Sequence, residues 1–176
     1  MIRLFDILIS FFGIILLLPV FILVLIICWL DTGSPLFIQK RVGLNSKIFK
    51  LIKFRSMKIG TLSVGTHLIS NENITFIGKL LRKYKIDELP QLCNVLIGEM
   101  SLVGPRPCLQ NQKKLINERK KRGVLRVKPG ITGLSQVKGI KMDNPVLLAK
   151  TDLTMIKKMS IYNYFIYILL TFMNIF

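Results

Sequence analysis

A long uncharged stretch near the N-terminus limits what this chain can fold into more than any other feature. The 24 residues from Ile7 to Leu30 include no charged side chain. At the helical rise of about 1.5 Å per residue they would reach roughly 36 Å, which is enough to cross the hydrocarbon core of a bilayer. The stretch is too long for a signal peptide, and no small-residue cleavage site follows it before Asp31. We therefore expect residues 1–31 to remain attached as a membrane anchor.

Pro19 lies near the middle of this stretch. A proline there removes a helical hydrogen bond and is expected to bend the helix at Leu18. Two half-helices of about 12 residues could then enter and leave the same leaflet as a re-entrant hairpin. A spanning helix with a single proline is the alternative, and the sequence does not decide between the two.

Basic residues follow the apolar stretch, and they indicate its orientation. The chain has no acidic residue between Asp31 and Glu72. The positive-inside rule therefore places the globular part, residues 32–176, on the cytoplasmic side of the membrane. The basic residues of this region are Lys40, Arg41, Lys47, Lys50, Lys53, Arg55 and Lys58.

The composition of the chain indicates an anionic partner. The formal net charge is +17, and 51% of the residues are hydrophobic. Nucleic-acid binders are generally basic but polar, so this combination favours anionic lipids at a membrane surface over nucleic acid. The three cysteines lack metal-ligand spacing and His67 is the only histidine, so the sequence gives no support to a catalytic His triad or a His-rich metal site.

Two adjacent carboxylates, Asp87 and Glu88, stand out in a chain with only nine acidic residues. Because proline is tolerated in the first helical turn, Pro90 indicates a helix that begins at Asp87 as N-cap; Gly98 should end it. A carboxylate at a helix N-terminus meets unpaired N–H groups and the positive end of the macrodipole, which favour its ionised form and suit a nucleophile. An ordinary capping residue is the alternative interpretation.

Two turns could bind an anion. Arg106 is held between Pro105 and Pro107, so it loses little entropy when its planar guanidinium grips an oxyanion. An exposed turn arginine is the alternative. The glycine-rich segment 128–134 could bring backbone N–H groups and cations close to the same kind of ligand.

The rest of the chain predicts an α/β fold that is mostly helical with short strands. A strand is predicted at 36–39, an extended segment at 47–57, a loop at 60–73, and helices at 75–84 and 111–122. The aromatic segment 161–176 predicts a helix that lies either in the membrane interface or in the core of the domain.

Several motifs, taken in order, resemble one protein family. They are Phe37-x-Gln39-x-Arg41-x-Gly43, Lys53 to Met57, Asp87 to Leu92, Gly104 to Pro107 and Pro129 to Gly133. Together with the hairpin at Pro19 they are similar to the bacterial sugar transferases, also called monotopic phosphoglycosyl transferases. The likeness spans nearly the whole chain and fits the small form of the family, which consists of the catalytic core without additional transmembrane helices.

This resemblance implies an activity. Enzymes of the family transfer a phosphosugar from a UDP-sugar to undecaprenyl phosphate and release UMP, as the first membrane step of surface-glycan assembly. The resemblance implies a covalent phosphosugar intermediate on Asp87, with Glu88 as its partner, and a requirement for Mg²⁺, for which both carboxylates are candidate ligands. The candidate phosphate-binding cations are Arg41, Lys53, Arg55, Arg82 and Arg106.

The sequence departs from the family pattern at two places. The family hairpin bends at a Ser-Pro pair, where this chain has Leu18 before Pro19. Ile140 stands where an arginine is usual, which leaves Lys138 or Lys141 as substitutes for one contact to the nucleotide or sugar.

Adjacent carboxylates also exclude one rival reaction. Neighbouring helical residues point roughly 100° apart, so Asp87 and Glu88 do not face each other across a glycosidic bond as glycosidase carboxylates do. The non-enzymatic alternative is a basic membrane adaptor that binds anionic lipid or nucleic acid. Glucose, galactose and N-acetylated hexosamines all remain candidate sugars, and the apolar hairpin would also allow a homo-oligomer.

Overall fold

A computed structural model of the chain describes residues 1–61 and 71–174. His67 and most of the predicted loop at 60–73 lie outside the described residues. The helices are α1 (Ile2–Leu16), α2 (Leu18–Thr32), α3 (Phe76–Lys83), α4 (Gln91–Ile97), α5 (Lys113–Lys121), α6 (Leu134–Val137), α7 (Pro145–Lys157) and α8 (Ile161–Met173). The strands are β1 (Leu36–Val42), β2 (Ile48–Phe54), β3 (Ser101–Val103) and β4 (Gly130–Thr132). This confirms the predicted mixture of many helices and short strands.

The apolar N-terminal stretch forms two helices that meet at an angle of 65°. The break falls at Leu17, one residue before the predicted bend, because Pro19 occupies the first turn of α2. A proline in that position removes no internal hydrogen bond. Among the described helices none is long and apolar enough by itself to cross a bilayer; only the bent pair meets both criteria.

α1 turns polar side chains inward, and both helices of the bent pair turn apolar side chains outward. Asp6 and Ser10 are buried on α1. Oδ1 of Asp6 accepts hydrogen bonds from Ser101 Oγ (3.0 Å), the Leu102 N–H (2.9 Å) and the Tyr164 hydroxyl (2.9 Å). The exposed large apolar residues of the pair are Leu4, Ile7, Leu8, Ile9, Phe11, Phe12, Ile15, Leu16, Leu18, Ile22, Leu23, Ile26, Trp29 and Leu30. A helix that faces water on its outer side shows the opposite pattern.

A β-hairpin follows the bent pair. β1 and β2 pair in antiparallel fashion from Leu36 opposite Phe54 to Val42 opposite Ile48. The predicted strand and the predicted extended segment are thus two partners in one sheet. α3 confirms the predicted helix at 75–84, and it begins where the Thr75 hydroxyl accepts a hydrogen bond of 2.9 Å from the Gly78 N–H.

The two turns singled out as anion-binding candidates lie against each other. β3 and β4 pair in parallel, with Ser101 opposite Gly130. A Cβ on Gly130 would lie 2.0 Å from the backbone nitrogen of Gly104, so this close approach requires glycine. The segment that carries Arg106 is therefore fixed directly against the glycine-rich segment 128–134.

The main core lies among β2, α4, β3, α7 and α8. Its buried members are Phe49, Leu51, Val95, Met100, Leu102, Val103, Met155, Tyr164 and Tyr167. The prediction that the aromatic segment forms a core helix is confirmed for one face of α8, which enters this core. The opposite face is exposed, and its contact with a membrane interface stays a prediction. The exposed side chains of α8 include Tyr162, Phe165, Leu169 and Phe172.

Candidate active site

Asp87 and Glu88 lie in a tight 3₁₀ turn, Ile86–Glu88, and not at the start of an α-helix. Hydrogen bonds from the Leu89 N–H to the Ile86 carbonyl and from the Leu92 N–H to the Leu89 carbonyl close three-residue turns, so α4 proper begins only at Gln91. The prediction that Asp87 is a helix N-cap was therefore wrong. The predicted end of the helix is confirmed, since Gly98 takes the left-handed conformation there with φ 98°.

Glu88 is the centre of an ion-pair network. Its Oε1 accepts hydrogen bonds from Lys53 Nζ at 2.7 Å and from Arg106 Nη2 at 2.8 Å. Burial alone would raise the pKa of Glu88, but the two cations outweigh burial and hold that pKa well below its ordinary value. Glu88 therefore stays ionised, and its charge raises the pKa of Arg106 in turn.

Asp87 has a different environment from its neighbour. Its residue surface is 7% exposed, and no described residue donates a hydrogen bond to its carboxylate. Burial raises the pKa of Asp87 to about 6; the charge of Glu88 acts in the same direction, while Lys53, Arg82 and Arg106 oppose it. The expected stabilisation of the ionised form by a helix N-terminus does not occur, because Asp87 lacks the N-cap hydrogen bonds that would provide it.

A narrow cleft opens beside Glu88. It is lined by Arg41, Leu51, Lys53, Glu88, Gln91, Arg106, Pro107, Gly130 and Ile131. Its free volume of about 10 Å³ is enough for roughly one water molecule or one phosphate oxygen. Three cations and one carboxylate line this cleft, so its net charge favours an anion.

Arg41 lines the cleft and has no carboxylate partner in the described structure. Its Nη1 donates a hydrogen bond of 3.1 Å to the Pro107 carbonyl, and its Nη2 donates to Gln39. Its Nε is buried without a hydrogen-bond partner among the described residues. Burial lowers the pKa of Arg41 to about 10, and the charge of Arg106 contributes in the same direction.

The two remaining predicted cations occupy different places. Arg82 donates a hydrogen bond of 2.8 Å from Nε to Ser56 Oγ, and its charge acts on both Asp87 and Glu88. Arg55 is not brought into the cleft. Its guanidinium donates hydrogen bonds to the Ser34 carbonyl at 2.8 Å and to the Leu36 carbonyl at 3.1 Å. Arg55 therefore stabilises the turn after α2.

The two carboxylates are the available ligands for a divalent cation. No group of three or more Asp, Glu, His or Cys converges within the part of the chain that the structure describes. Mg²⁺ in proteins commonly binds one or two carboxylates together with the phosphate oxygens of a substrate. The Asp87 carboxylate, which accepts no hydrogen bond from any residue that the structure describes, and the ionised Glu88 fit that donor set.

Sequence reasoning missed a buried polar cluster behind the cleft. Nε and Nη2 of Arg119 donate to Asp152 Oδ2 at 3.0 and 2.7 Å, and Ser135 Oγ donates to Asp152 Oδ1 at 2.6 Å. A signal was present, because Asp152 lies four residues after Leu148 and three before Met155 on the apolar face of α7. A carboxylate in such a stripe is buried and needs a partner.

Comparison with known proteins places the chain in a family. The sequence model of the family described as Bacterial sugar transferase matches residues 1–176. The chain belongs to the bacterial sugar transferase family. As a bacterial sugar transferase, the chain is an enzyme. A non-enzymatic membrane adaptor is therefore not needed to explain its high net charge.

Three relatives show how much of this bacterial sugar transferase, and how much of each relative, is aligned. The chain is 44% identical over 138 residues to the uncharacterized sugar transferase EpsL of Bacillus subtilis strain 168, which covers 78% of this chain and 68% of that protein. It is 39% identical over 160 residues to the undecaprenyl-phosphate glucose phosphotransferase of Komagataeibacter xylinus, covering 86% of this chain and 30% of that protein. It is 37% identical over 157 residues to the UDP-galactose-lipid carrier transferase of Erwinia amylovora, covering 78% and 32%.

Proposed function

We propose that this enzyme transfers a phosphosugar from a UDP-sugar to undecaprenyl phosphate and releases UMP. The product is a polyprenyl-diphosphosugar, and the reaction is the first membrane step in the assembly of a surface glycan. The names of the Komagataeibacter xylinus and Erwinia amylovora relatives support both substrates, since they refer to undecaprenyl phosphate, glucose, UDP-galactose and a lipid carrier.

The observation that carries this proposal is the contrast between Asp87 and Glu88. Glu88 is ionised, and its Oε1 is paired with both Lys53 and Arg106. Asp87 is buried, accepts no hydrogen bond from a described residue, and has its pKa raised to about 6. A carboxylate in that state is ionised at neutral pH yet poorly solvated, which makes it a better nucleophile than a solvated one.

Asp87 performs two displacements at one phosphorus atom. One of its carboxylate oxygens attacks the phosphorus that bears the sugar, and the bond from that phosphorus to the bridging oxygen of UMP breaks with its electron pair. An oxygen of the lipid phosphate then attacks the same phosphorus and breaks its bond to Asp87. The carboxylate is regenerated, and the sugar phosphate is now joined to the lipid phosphate.

The surrounding cations allow the Asp87 carboxylate to approach the diphosphate of the donor. An anionic nucleophile is repelled by a diphosphate unless positive charge neutralises the phosphoryl oxygens. Lys53, Arg82 and Arg106 all act electrostatically on Asp87, and Arg41 adds its positive charge to those of Lys53 and Arg106 in the cleft. Because the cleft itself is narrow, we expect the nucleotide and sugar to lie over its mouth, with phosphate oxygens directed at the cations.

Mg²⁺ is the cofactor we propose for this site. When bound, it would neutralise phosphate oxygens of the diphosphate and of the departing UMP. Asp87 and Glu88 are the residues that would hold it, together with the donor phosphates. The protein's own contribution is to keep Glu88 ionised at the cleft and to present Asp87 without a competing hydrogen bond.

We also propose a position at the cytoplasmic face of the inner membrane. The outward apolar faces of α1 and α2, and the exposed aromatic face of α8, suit contact with lipid. The bend at Leu17 supports a re-entrant pair over a straight span. The exposed lysines of this region would lie next to anionic lipid headgroups, where each contributes on the order of 1 kcal/mol; they are Lys40, Lys47, Lys50 and Lys58. Such a placement would present Asp87 to a lipid phosphate.

The experiment that tests this function is UMP release by the purified protein in nanodiscs. A panel of UDP-sugars is supplied with and without undecaprenyl phosphate, and with Mg²⁺ or an excess of chelator. We expect release with at least one donor, dependence on Mg²⁺, and sustained turnover only when the lipid phosphate is present. Absence of UMP with every donor would contradict the proposal. Asp87→Asn provides the matched inactive control.

A further inference from the structure

We propose that the buried Arg119–Asp152 pair is a positioning element that fixes Arg106 through the backbone carbonyl of Arg106. This inference rests on the proposed function, since it assigns the pair to the same phosphate-binding site. Neither residue lines the cleft, so both would act through Arg106 and not on the substrate.

The turn that carries Arg106 is held through its carbonyl groups. Pro105 and Pro107 have no N–H to donate, so the usual backbone ladder is unavailable to them. Each of four consecutive carbonyls, 105–108, instead accepts one hydrogen bond. The donors are the Gly130 N–H to Pro105 (3.0 Å), Arg119 Nη1 to Arg106 (2.7 Å), Arg41 Nη1 to Pro107 (3.1 Å) and the Val42 N–H to Cys108 (2.9 Å).

Arg119 is the only donor of these four that is a buried side chain paired with a buried carboxylate. The side chains of Arg119 and Asp152 are 2% and 0% exposed. Nε and Nη2 of Arg119 both donate hydrogen bonds to Asp152, and Nη1 donates to the Arg106 carbonyl. Ser135 holds the second oxygen of Asp152 and thereby fixes the orientation of the carboxylate.

Stability alone is a weak reason for such a pair. A buried ion pair carries a large desolvation cost, and well-packed apolar residues of similar volume are often as stable or more stable. The pair does supply a rigid charged donor to the one carbonyl between two prolines. That donor fixes the backbone of Arg106, from which the side chain extends. At the other end of the side chain, Nη2 of Arg106 donates a hydrogen bond of 2.8 Å to Glu88 Oε1.

The test removes the pair without leaving a buried charge. Arg119→Met combined with Asp152→Leu replaces both partners by apolar side chains of similar size. If the pair positions Arg106, kcat/KM for the active UDP-sugar should fall by about 10- to 100-fold, the range expected when a binding group is misplaced by about 1 Å. Glu118→Gln, which removes surface ion pairs on the same helix α5, is the matched control and should leave kcat/KM unchanged.

Two further readouts separate positioning from general damage. In an Arg106→Gln background, Arg119→Met combined with Asp152→Leu should lower kcat/KM by less than about 3-fold further. The reason is that the effects of residues that act through one group are not additive. Single-turnover UMP release resolves such slow variants. The KM for the UDP-sugar should also rise, because Arg106 is proposed to bind the phosphate oxygens of that donor.

The outcomes are distinct. A Met/Leu variant with wild-type kcat/KM, or one that loses the same factor with and without Arg106, would overturn the inference. If this variant does not fold, Arg119→Lys keeps the buried charge while losing the fork that reaches Asp152 and the carbonyl together, and the same two readouts apply. Failure of the proposed function is recognised separately, because the wild-type enzyme would then release no UMP.

Discussion

Arg106 Nη2 donates a hydrogen bond of 2.8 Å to Glu88 Oε1, so a cation suited to phosphate is already paired with the carboxylate next to Asp87. Lys53 shares the same oxygen at 2.7 Å. Glu88 therefore keeps two positive charges close to Asp87 while partly compensating them. A phosphate oxygen that enters the cleft would replace Glu88 as a partner of these cations.

Replacement of Glu88 by Gln tests this arrangement, because it keeps the shape of the side chain and removes its charge. Arg106 and Lys53 would lose their anchor, and we expect kcat/KM to fall by about 100-fold, in the range seen when an electrostatic group of a site is removed. The pKa of Asp87 should fall as well, since the charge of Glu88 raises it. The acidic limb of the UMP-release profile should therefore move to lower pH in Glu88→Gln, whereas a fixed limb would contradict this account.

The pH dependence of the wild-type enzyme follows from Asp87. Its pKa is raised to about 6, and only the ionised carboxylate can attack phosphorus. We expect kcat/KM for UMP release to be steady above pH 7 and to fall about tenfold per pH unit below 6. A limb centred near 4, the ordinary value for an aspartate, would show that burial does not act on the nucleophile.

The same shift predicts that the nucleophile destabilises the fold. Because the pKa of Asp87 is raised from 3.8 in its ordinary state to about 6, the folded protein binds more protons than the unfolded chain between those values, and stability falls as pH rises through them. Asp87→Asn should therefore be more stable than wild type by roughly 3 kcal/mol at pH 8. Chemical denaturation in detergent should show this difference shrinking to nothing below pH 4.

The bend at Leu17 predicts the topology of the N-terminus. In a re-entrant pair both ends lie on the cytoplasmic face, so a cysteine added before Ile2 should resist a membrane-impermeant thiol reagent applied from the periplasm. Pro19→Ala should straighten the pair and expose that cysteine in part of the population. Pro145→Ala, at the start of α7, is the matched control and should change nothing. Full labelling of the added cysteine in the protein that keeps Pro19 would indicate a spanning helix and contradict the prediction.

The local signals of the sequence were sufficient for much of the fold. The strand predicted at 36–39, the extended segment at 47–57 and the helix at 75–84 correspond to β1, β2 and α3, and the backbone freedom of Gly98 predicted the end of α4. The interruption of the apolar stretch near Pro19 was also predictable, with an error of one residue. Each of these features depends on neighbours within a few positions of the chain.

The environments of the site residues depend on distant parts of the chain and could not be read in this way. Asp87 was expected to be stabilised as an anion by a helix start, and instead burial raises its pKa. Arg55 matched the family motif, but carbonyl groups near Ser34 bind its guanidinium. Arg119 looked like one more cation on a basic helix, since its partner Asp152 lies 33 residues away.

The central claim is that Asp87 becomes covalently attached to the sugar phosphate. The most direct measurement is to incubate the enzyme with a radiolabelled UDP-sugar in the absence of lipid phosphate, quench it, and locate the added mass by peptide mass spectrometry. We predict one phosphosugar adduct on the peptide that contains Asp87, its loss when undecaprenyl phosphate is added before the quench, and no adduct in Asp87→Asn. An active wild-type enzyme that transfers sugar phosphate to lipid without any adduct, or an Asp87→Asn variant with full activity, would contradict it.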